Sequence, residues 1–265
     1  MVSEWGTSKR IVYLSLLLAF CLLLLAACRP APDALERVLE SGVLRVGMDA
    51  SFPPFEYIDG EGNLVGFDVD LAREIAARLG VEVQFAANLP YDGLYDSLTA
   101  GQVDVIISAL YVDPTRTADF AYSAPYFDAG QVLVVAEGTE GIEEMSDLDG
   151  KTLAVEFGSA GDVEARAWER RLTSLTILPC QTPDEALGKV ASGEADAALV
   201  DHLSALMTPV EGLRIVGQPV ISEPYAVAAR REDRRLLEAI DEILTAMRDD
   251  GTLGRLKARW FTAAP

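Results

Sequence analysis

A chain of 265 residues, half of them hydrophobic and 24% charged, is long enough for two modest packed domains and too apolar for extended disorder. Its formal net charge of −20 excludes a basic groove for nucleic acid, because phosphate binding relies on clustered Lys and Arg. One His and three Cys are too few for a metal centre, and no cofactor motif stands out.

The first residues are not part of the folded body. Lys9 and Arg10 precede an uncharged apolar run, Ile11 to Leu25, followed by Leu25-Ala26-Ala27-Cys28. This is the layout of a secretory signal, and its closing tetrad resembles the lipobox of bacterial lipoproteins. The expectation is a signal peptide over 1–27, lipidation of Cys28 and a tether over 28–32. An uncleaved membrane anchor is the alternative, although the run is short for a spanning helix. Either way the body is extracytoplasmic and held at a membrane. Cys21 lies in the signal and Cys28 takes the lipid. Only Cys180 remains, so no intrachain disulfide forms.

In chain order, a helix is expected from Asp33 to Glu40, ended by Ser41-Gly42, then a strand Val43–Gly47 and a turn from Met48 to Phe55 that carries an acid and two aromatics. Asp59-Gly60 and Glu61-Gly62-Asn63 mark a hairpin turn. A helix follows with Leu71, Ile75 and Leu79 on one face, closed by Gly80. After a strand Val81–Phe85 and a short helix stopped by Gly101, Val103 to Ile107 is an apolar β-branched run. The chain then turns at Ser108-Ala109-Leu110-Tyr111, and Asp113-Pro114 start a helix with Arg116 in its first turn.

A cation in that turn opposes the helix dipole and so needs another reason. Either Arg116 pairs with Asp113 or Asp119 on the surface, or it grips an anion at the carboxyl edge of an α/β sheet, where such folds bind ligands.

The second half echoes the first. Ala191-Ser192-Gly193-Glu194-Ala195-Asp196-Ala197 is similar to Thr99-Ala100-Gly101-Gln102-Val103-Asp104-Val105, each a helix end, a Gly cap and a strand opening at Asp. Two similar α/β lobes account for it economically. Strands are expected at 131–136, 152–155, 175–178 and 195–200, with helices at 162–171 and 184–192. The loop Glu156-Phe157-Gly158-Ser159-Ala160-Gly161-Asp162 opens the first of these helices and presents N–H groups suited to a carboxylate. Ile221 to Ala229 is a second extended crossing. A helix from Asp233 to Asp249 and an amphipathic turn ending in Trp260-Phe261 complete the chain.

At Gly66-Phe67-Asp68-Val69-Asp70-Leu71, followed by Ile75-Ala76 and Leu79, the chain resembles the signature of bacterial extracellular solute-binding proteins of family 3, the amino-acid receptors of ABC importers. The resemblance runs from about Leu44 to Phe261. It implies an α/β, two-lobed clamp of the type II periplasmic-binding-protein kind, each lobe a central sheet flanked by helices, joined by two hinge strands. Lobe 1 would comprise 33–128 plus 224–265 and lobe 2 would comprise 133–219, with hinges near 129–132 and 220–223.

It also implies a site. Arg116 would hold the ligand α-carboxylate and Asp201 the α-ammonium, with Phe52 and Tyr91 sandwiching the side chain. Ser108, the Ala109 carbonyl and N–H groups near Tyr111, Ser159 and Ala160 would complete the zwitterion contacts. The chain departs from the family pattern at Tyr111 and Ala160, where hydroxyl residues are usual, and at Glu156. With Asp49, Glu156 makes the side-chain end acidic, which favours a cationic L-amino acid, arginine or lysine, over glutamine.

The function implied is a monomeric, non-catalytic receptor that delivers a free amino acid to ABC permease subunits. The alternative on the same fold is a lyase similar to cyclohexadienyl dehydratases, with Glu156 as general acid. No Ser-His-Asp or metal constellation supports an enzyme.

Overall fold

The computed structural model describes residues 33–208 and 210–261. The signal segment, Cys28 and the tether lie outside the described residues.

Helix α1 (Ala34–Ser41) is capped by Asp33, whose carboxylate accepts from the Glu36 N–H at 3.0 Å. Strand β1 (Val43–Gly47) leads to three short antiparallel strands, β2 (Ser51–Phe52), β3 (Glu56–Ile58) and β4 (Leu64–Val65). Helix α2 (Phe67–Leu79) buries Leu71, Ala72, Ile75 and Ala76. Gly66, just before it, is irreplaceable: a Cβ there would sit 2.1 Å from the Phe55 carbonyl oxygen. Strand β5 (Glu82–Ala86), helix α3 (Leu94–Thr99), β6 (Val105–Ile106) and β7 (Phe120–Tyr122) follow.

The chain then crosses over through β8 (Phe127–Asp128) into β9 (Gln131–Ala136), β10 (Thr152–Glu156), α4 (Ala160–Glu169), β11 (Thr176–Cys180), α5 (Pro183–Ala191), β12 (Ala197–Asp201), α6 (His202–Met207) and β13 (Leu213–Ile221). It returns through β14 (Pro224–Tyr225) to β15 (Ala228–Arg230), α7 (Arg234–Asp249) and α8 (Thr252–Phe261).

Two five-stranded sheets result, ordered β5-β1-β6-β15-β7 and β11-β10-β12-β9-β13. Their plans coincide. In each, a central strand is parallel to both neighbours, β1 with β5 and β6, β10 with β11 and β12, and two antiparallel strands complete the edge. The fold is a two-lobed α/β clamp.

The repeated Asp has the same job in both copies. The Asp104 carboxylate accepts from the Arg45 N–H at 3.0 Å while its own N–H donates to the Arg45 carbonyl at 2.9 Å. Asp196 does the same to Thr152, at 2.8 and 2.9 Å. Each therefore ties the start of its strand to the neighbouring parallel strand, Asp104 at the middle of β1 and Asp196 at the first residue of β10.

Three expected elements differ. Residues 114–116 form a single 3-10 turn rather than the start of an α-helix, because the Arg116 carbonyl accepts from Asp119 and the chain enters β7 at Phe120. Helix α4 begins at Ala160, two residues earlier than its sequence pattern indicates. In the run 103–107, only Val105–Ile106 forms the strand, although all of Val103, Val105, Ile106 and Ile107 are fully buried.

The crossings are bound to each other. The Asp128 carboxylate on the first accepts from the Gly130 N–H and, on the second, from the Ser222 hydroxyl at 2.6 Å and the Glu223 N–H at 3.0 Å. A Cβ on Gly130 would lie 1.8 Å from the Ile221 carbonyl oxygen, so the strands approach this closely only at glycine. Among the described residues, no helix is long and apolar enough to cross a membrane, and no three His, Cys, Asp or Glu converge as metal ligands.

Candidate functional site

The carboxyl ends of β1 and β6 lie side by side, so the turns that follow them, from Met48 and from Ile107, meet over one edge of the first sheet. Hydrogen bonds lock them together. The Asp49 N–H donates to the Ser108 hydroxyl at 3.0 Å, and that hydroxyl donates to Glu56 at 2.9 Å. Ala109 has φ +40°, among the described residues the only positive φ outside glycine. That left-handed backbone costs an L-residue on the order of 1 kcal/mol. Its N–H donates to the buried Asp68 at 2.5 Å, and Tyr126 donates its hydroxyl to the same oxygen at 2.8 Å.

The returning crossing supplies the opposite wall. Tyr111 pairs with Tyr225, Val112 donates to the Pro224 carbonyl, and Ala226 donates to the Leu110 carbonyl. Between these elements lies a cavity of about 600 Å3. Six residues expected at the site line it: Asp49, Phe52, Tyr91, Ser108, Ala109 and Tyr111. Ser51, Glu56, Val112, Ser222, Glu223, Pro224 and Tyr225 line it too. Sequence reasoning missed these seven. Ser51 and Val112 lie inside turns that the sequence marks, and Glu56 directly follows one; the other four sit on the crossing strand Ile221 to Ala229, which carries no hint that it faces a turn more than a hundred residues away.

Phe52, Tyr91 and Tyr111 are 43%, 41% and 50% exposed, so three large rings stand uncovered at the cavity. Large apolar surface clustered at a concavity marks a binding face. Phe52 is held by parallel stacking on Phe55, 5.6 Å between centroids. Tyr91 is held through its N–H, which donates to the Asp49 carboxylate at 3.0 Å.

The lining is acidic. Asp49, Glu56 and Glu223 contribute carboxyl groups, and none of the lining residues is a Lys, Arg or His. Burial, reinforced by the neighbouring Asp68 charge, pushes Glu56 far above the ordinary carboxylate range, so it is protonated at neutral pH. Burial raises Asp68 as well, to about 6, against the lowering effect of the Ala109 N–H and the Tyr126 hydroxyl. Burial also lifts Tyr91 and Tyr225 to about 12, which keeps both phenols neutral.

Arg116 does not line this cavity. Its guanidinium lies 4.4 Å over the Tyr95 ring and 3.4 Å from Asp113, in a different recess shared with Tyr95, Asp96 and Arg230. Its side chain is 48% exposed.

The second lobe places its four expected residues at the corresponding sheet edge. Glu156 ends β10, Ser159 caps α4 by accepting from the Asp162 N–H at 3.1 Å, and Ala160 is the first residue of that helix. The first N–H groups of an α-helix have no intrahelical acceptor, so this terminus suits an anion. Asp201 ends β12 and caps α6, accepting from the Ser204 N–H at 2.8 Å. The next residue, His202, reaches the first crossing, where its Nδ1 meets the Asp128 carbonyl at 2.6 Å and its ring stacks on Phe127. None of the four lines the cavity of the first lobe.

Residues 44–263 match the model of the bacterial extracellular solute-binding proteins, family 3. The chain is 32% identical over 236 residues to the L-cystine-binding protein TcyJ of Escherichia coli K12, with 86% of each chain covered. Among solved structures it is similar to an ancestral cyclohexadienyl dehydratase, with TM-score 0.76, 27% identity and coverage of 88% of this chain and 98% of the other. It is also similar to the L-cystine solute receptor of Neisseria gonorrhoeae in its unliganded open conformation, with TM-score 0.71, 26% identity and coverage of 87% and 97%.

Proposed function

Because the chain belongs to the bacterial extracellular solute-binding proteins of family 3, we propose that it is a non-catalytic receptor for a cationic L-amino acid, arginine or lysine, which it delivers to an ABC permease. The observation that carries this reading is the cavity of the first lobe: three uncovered aromatic rings, carboxyl groups from Asp49 and Glu223, and no cationic side chain in its wall.

A cationic amino acid carries one negative and two positive groups, and each needs an opposite charge once water is excluded. Arg116 takes the α-carboxylate in this reading. Its present contacts are Asp113, three residues away at 3.4 Å, and the face of Tyr95, and an exposed local ion pair of this kind holds a side chain only weakly. Asp201 takes the α-ammonium with the oxygen its helix cap leaves available, while Ser159 and Ala160 offer N–H groups to the carboxylate. Phe52 and Tyr91 cover the aliphatic stem, and Tyr111 closes the wall opposite. Asp49, with Glu156 from the other lobe, meets the distal cation. The charges sit on both lobes, so ligand stabilises the closed clamp by contacts that the open one lacks.

Residues 1–27 act as the signal in this account, and lipid on Cys28 holds an extracytoplasmic monomer at a membrane. The lobes divide at 129–132 and 220–223.

Calorimetry with a panel of free amino acids tests the proposal. Arginine or lysine should bind far more tightly than glutamate, and the reverse order would defeat it. The second reading, a dehydratase-like lyase with Glu156 as general acid, draws on the structural similarity to the ancestral dehydratase. Incubation with prephenate or arogenate decides between them, since aromatisation of either substrate would make the chain an enzyme.

A further inference from the structure

We infer that Glu56 and Asp68 act as one unit holding a single shared proton, and that this unit positions the Ser108–Ala109 turn against the ligand cavity. The inference rests on the ligand reading of that cavity.

A count of donors and acceptors is the starting point. Four carboxyl oxygens lie in the interior beneath the cavity, and three donors reach them. Ser108 donates to Oε1 of Glu56, and Ala109 and Tyr126 both donate to Oδ2 of Asp68. Oε2 of Glu56 and Oδ1 of Asp68 are buried and receive no bond from elsewhere in the protein. Two bare carboxylate oxygens in a dry interior would be a severe cost. One proton between the side chains removes it: Glu56 is the neutral acid and donates, Asp68 is the carboxylate and accepts. The two groups are hydrogen-bonding neighbours, and among the described residues neither takes part in an ion pair, so no cation offers a different solution. The other titratable groups acting on the pair are Asp49, two residues beyond β1, and the phenols of Tyr91, Tyr126 and Tyr225, and none of them carries positive charge.

The placement of the proton sets the direction of the bonds above it. Asp68, left ionised, accepts the Ala109 N–H in a short charge-assisted bond that opposes the cost of its left-handed backbone. Glu56, being neutral, still accepts from Ser108, whose oxygen is thereby turned to accept from the Asp49 N–H. Asp49, Ser108 and Ala109 all line the cavity. Glu56 lines the cavity as well, whereas Asp68 lies behind it, and the role of the pair is to position the turn.

Glu56→Gln reproduces the neutral acid, since its amide can donate to Asp68 and accept from Ser108. Asp68→Ala removes the acceptor of the Ala109 N–H. Infrared spectroscopy of the wild-type protein at neutral pH should show a protonated-carboxyl stretch that is missing from Glu56→Gln. Calorimetry should give Asp68→Ala an arginine affinity weaker by roughly tenfold or more. Absence of the stretch, or an unchanged affinity in Asp68→Ala, would overturn the inference. If Asp68→Ala fails to fold, the infrared band still decides. Should the wild-type protein bind no amino acid, the ligand reading fails while the infrared result still reports on the proton.

Discussion

The two lobes share a strand order, a parallel core of three strands and an Asp that ties one strand to the next, yet they prepare their sheet edges differently. The first lobe builds its core with aromatic rings, Phe55 touching Phe67, Phe127, Tyr225 and Phe261, and raises a walled cavity over its edge. The second packs mainly aliphatic residues such as Leu133, Val135, Leu153, Val155 and Leu199, and leaves Glu156, Ser159, Ala160 and Asp201 in local capping positions. One side is a walled cavity and the other a sheet edge of carboxyl groups and helix starts. On the proposed reading, that asymmetry lets ligand settle on one half before the second closes.

The largest effect should come from Arg116→Ala. If Arg116 is the carboxylate clamp, its loss weakens amino-acid binding by about 2–5 kcal/mol. Stability should scarcely change, because the side chain is 48% exposed and its ion pair is local. Calorimetry and thermal unfolding on the same variant separate the two. An unaltered affinity would place the carboxylate contact elsewhere.

The shared Asp offers the next test. Asp104 is 3% exposed and meets the Arg45 guanidinium through two bonds, at 3.0 and 2.6 Å, while Asp196 is 40% exposed with Lys151 at 3.6 Å. Asp104→Ala should therefore destabilise by about 2–3 kcal/mol and Asp196→Ala by about 1 kcal/mol or less, read from urea unfolding. Equal costs would mean that the copies are energetically as well as topologically alike.

Asp201→Asn follows. Asn caps helices nearly as well as Asp, so α6 should persist while the ammonium loses its counter-charge, and affinity should fall by about 1–2 kcal/mol. A fall in thermal stability without a fall in affinity would assign Asp201 to capping alone.

Much of this architecture was legible. The Gly101–Asp104 and Gly193–Asp196 echo located two related lobes because a left-handed cap and a strand-tying carboxylate have local signatures. That Asp49, Phe52, Ser108, Ala109 and Tyr111 share one sheet edge was legible because they follow strand ends, whereas Tyr91 came from the family resemblance. Glu223 and Tyr225 were not, since their place in the wall depends on how a distant crossing strand packs on the turn. Nor was the Glu56–Asp68 pair. Glu56 sits in a two-residue pairing with Phe52 that gives no periodic signal of burial, and the proton they share has no sequence trace. Local sequence also left the direction of Arg116 open between surface pair and ligand contact.

The last test probes the buried Glu56–Asp68 pair of the first lobe. Glu56 is held neutral in the folded protein and ionises once the chain unfolds. Above the unfolded carboxyl value the folded state therefore binds the extra proton, and stability is lost as pH rises toward the raised folded value. Between about pH 7 and about pH 8.5 this group should lower stability by on the order of 1 kcal/mol per pH unit. The window avoids Asp68, raised only to about 6, and His202, whose burial holds it below its ordinary value. Glu56→Gln carries no proton to lose, so its urea midpoint should drop less than wild type across the same interval. Parallel lines for the two proteins would mean that Glu56 is already ionised when folded. The two oxygens without partners would then need a donor from outside the protein, and the difference between the lobes would be one of shape rather than of charge.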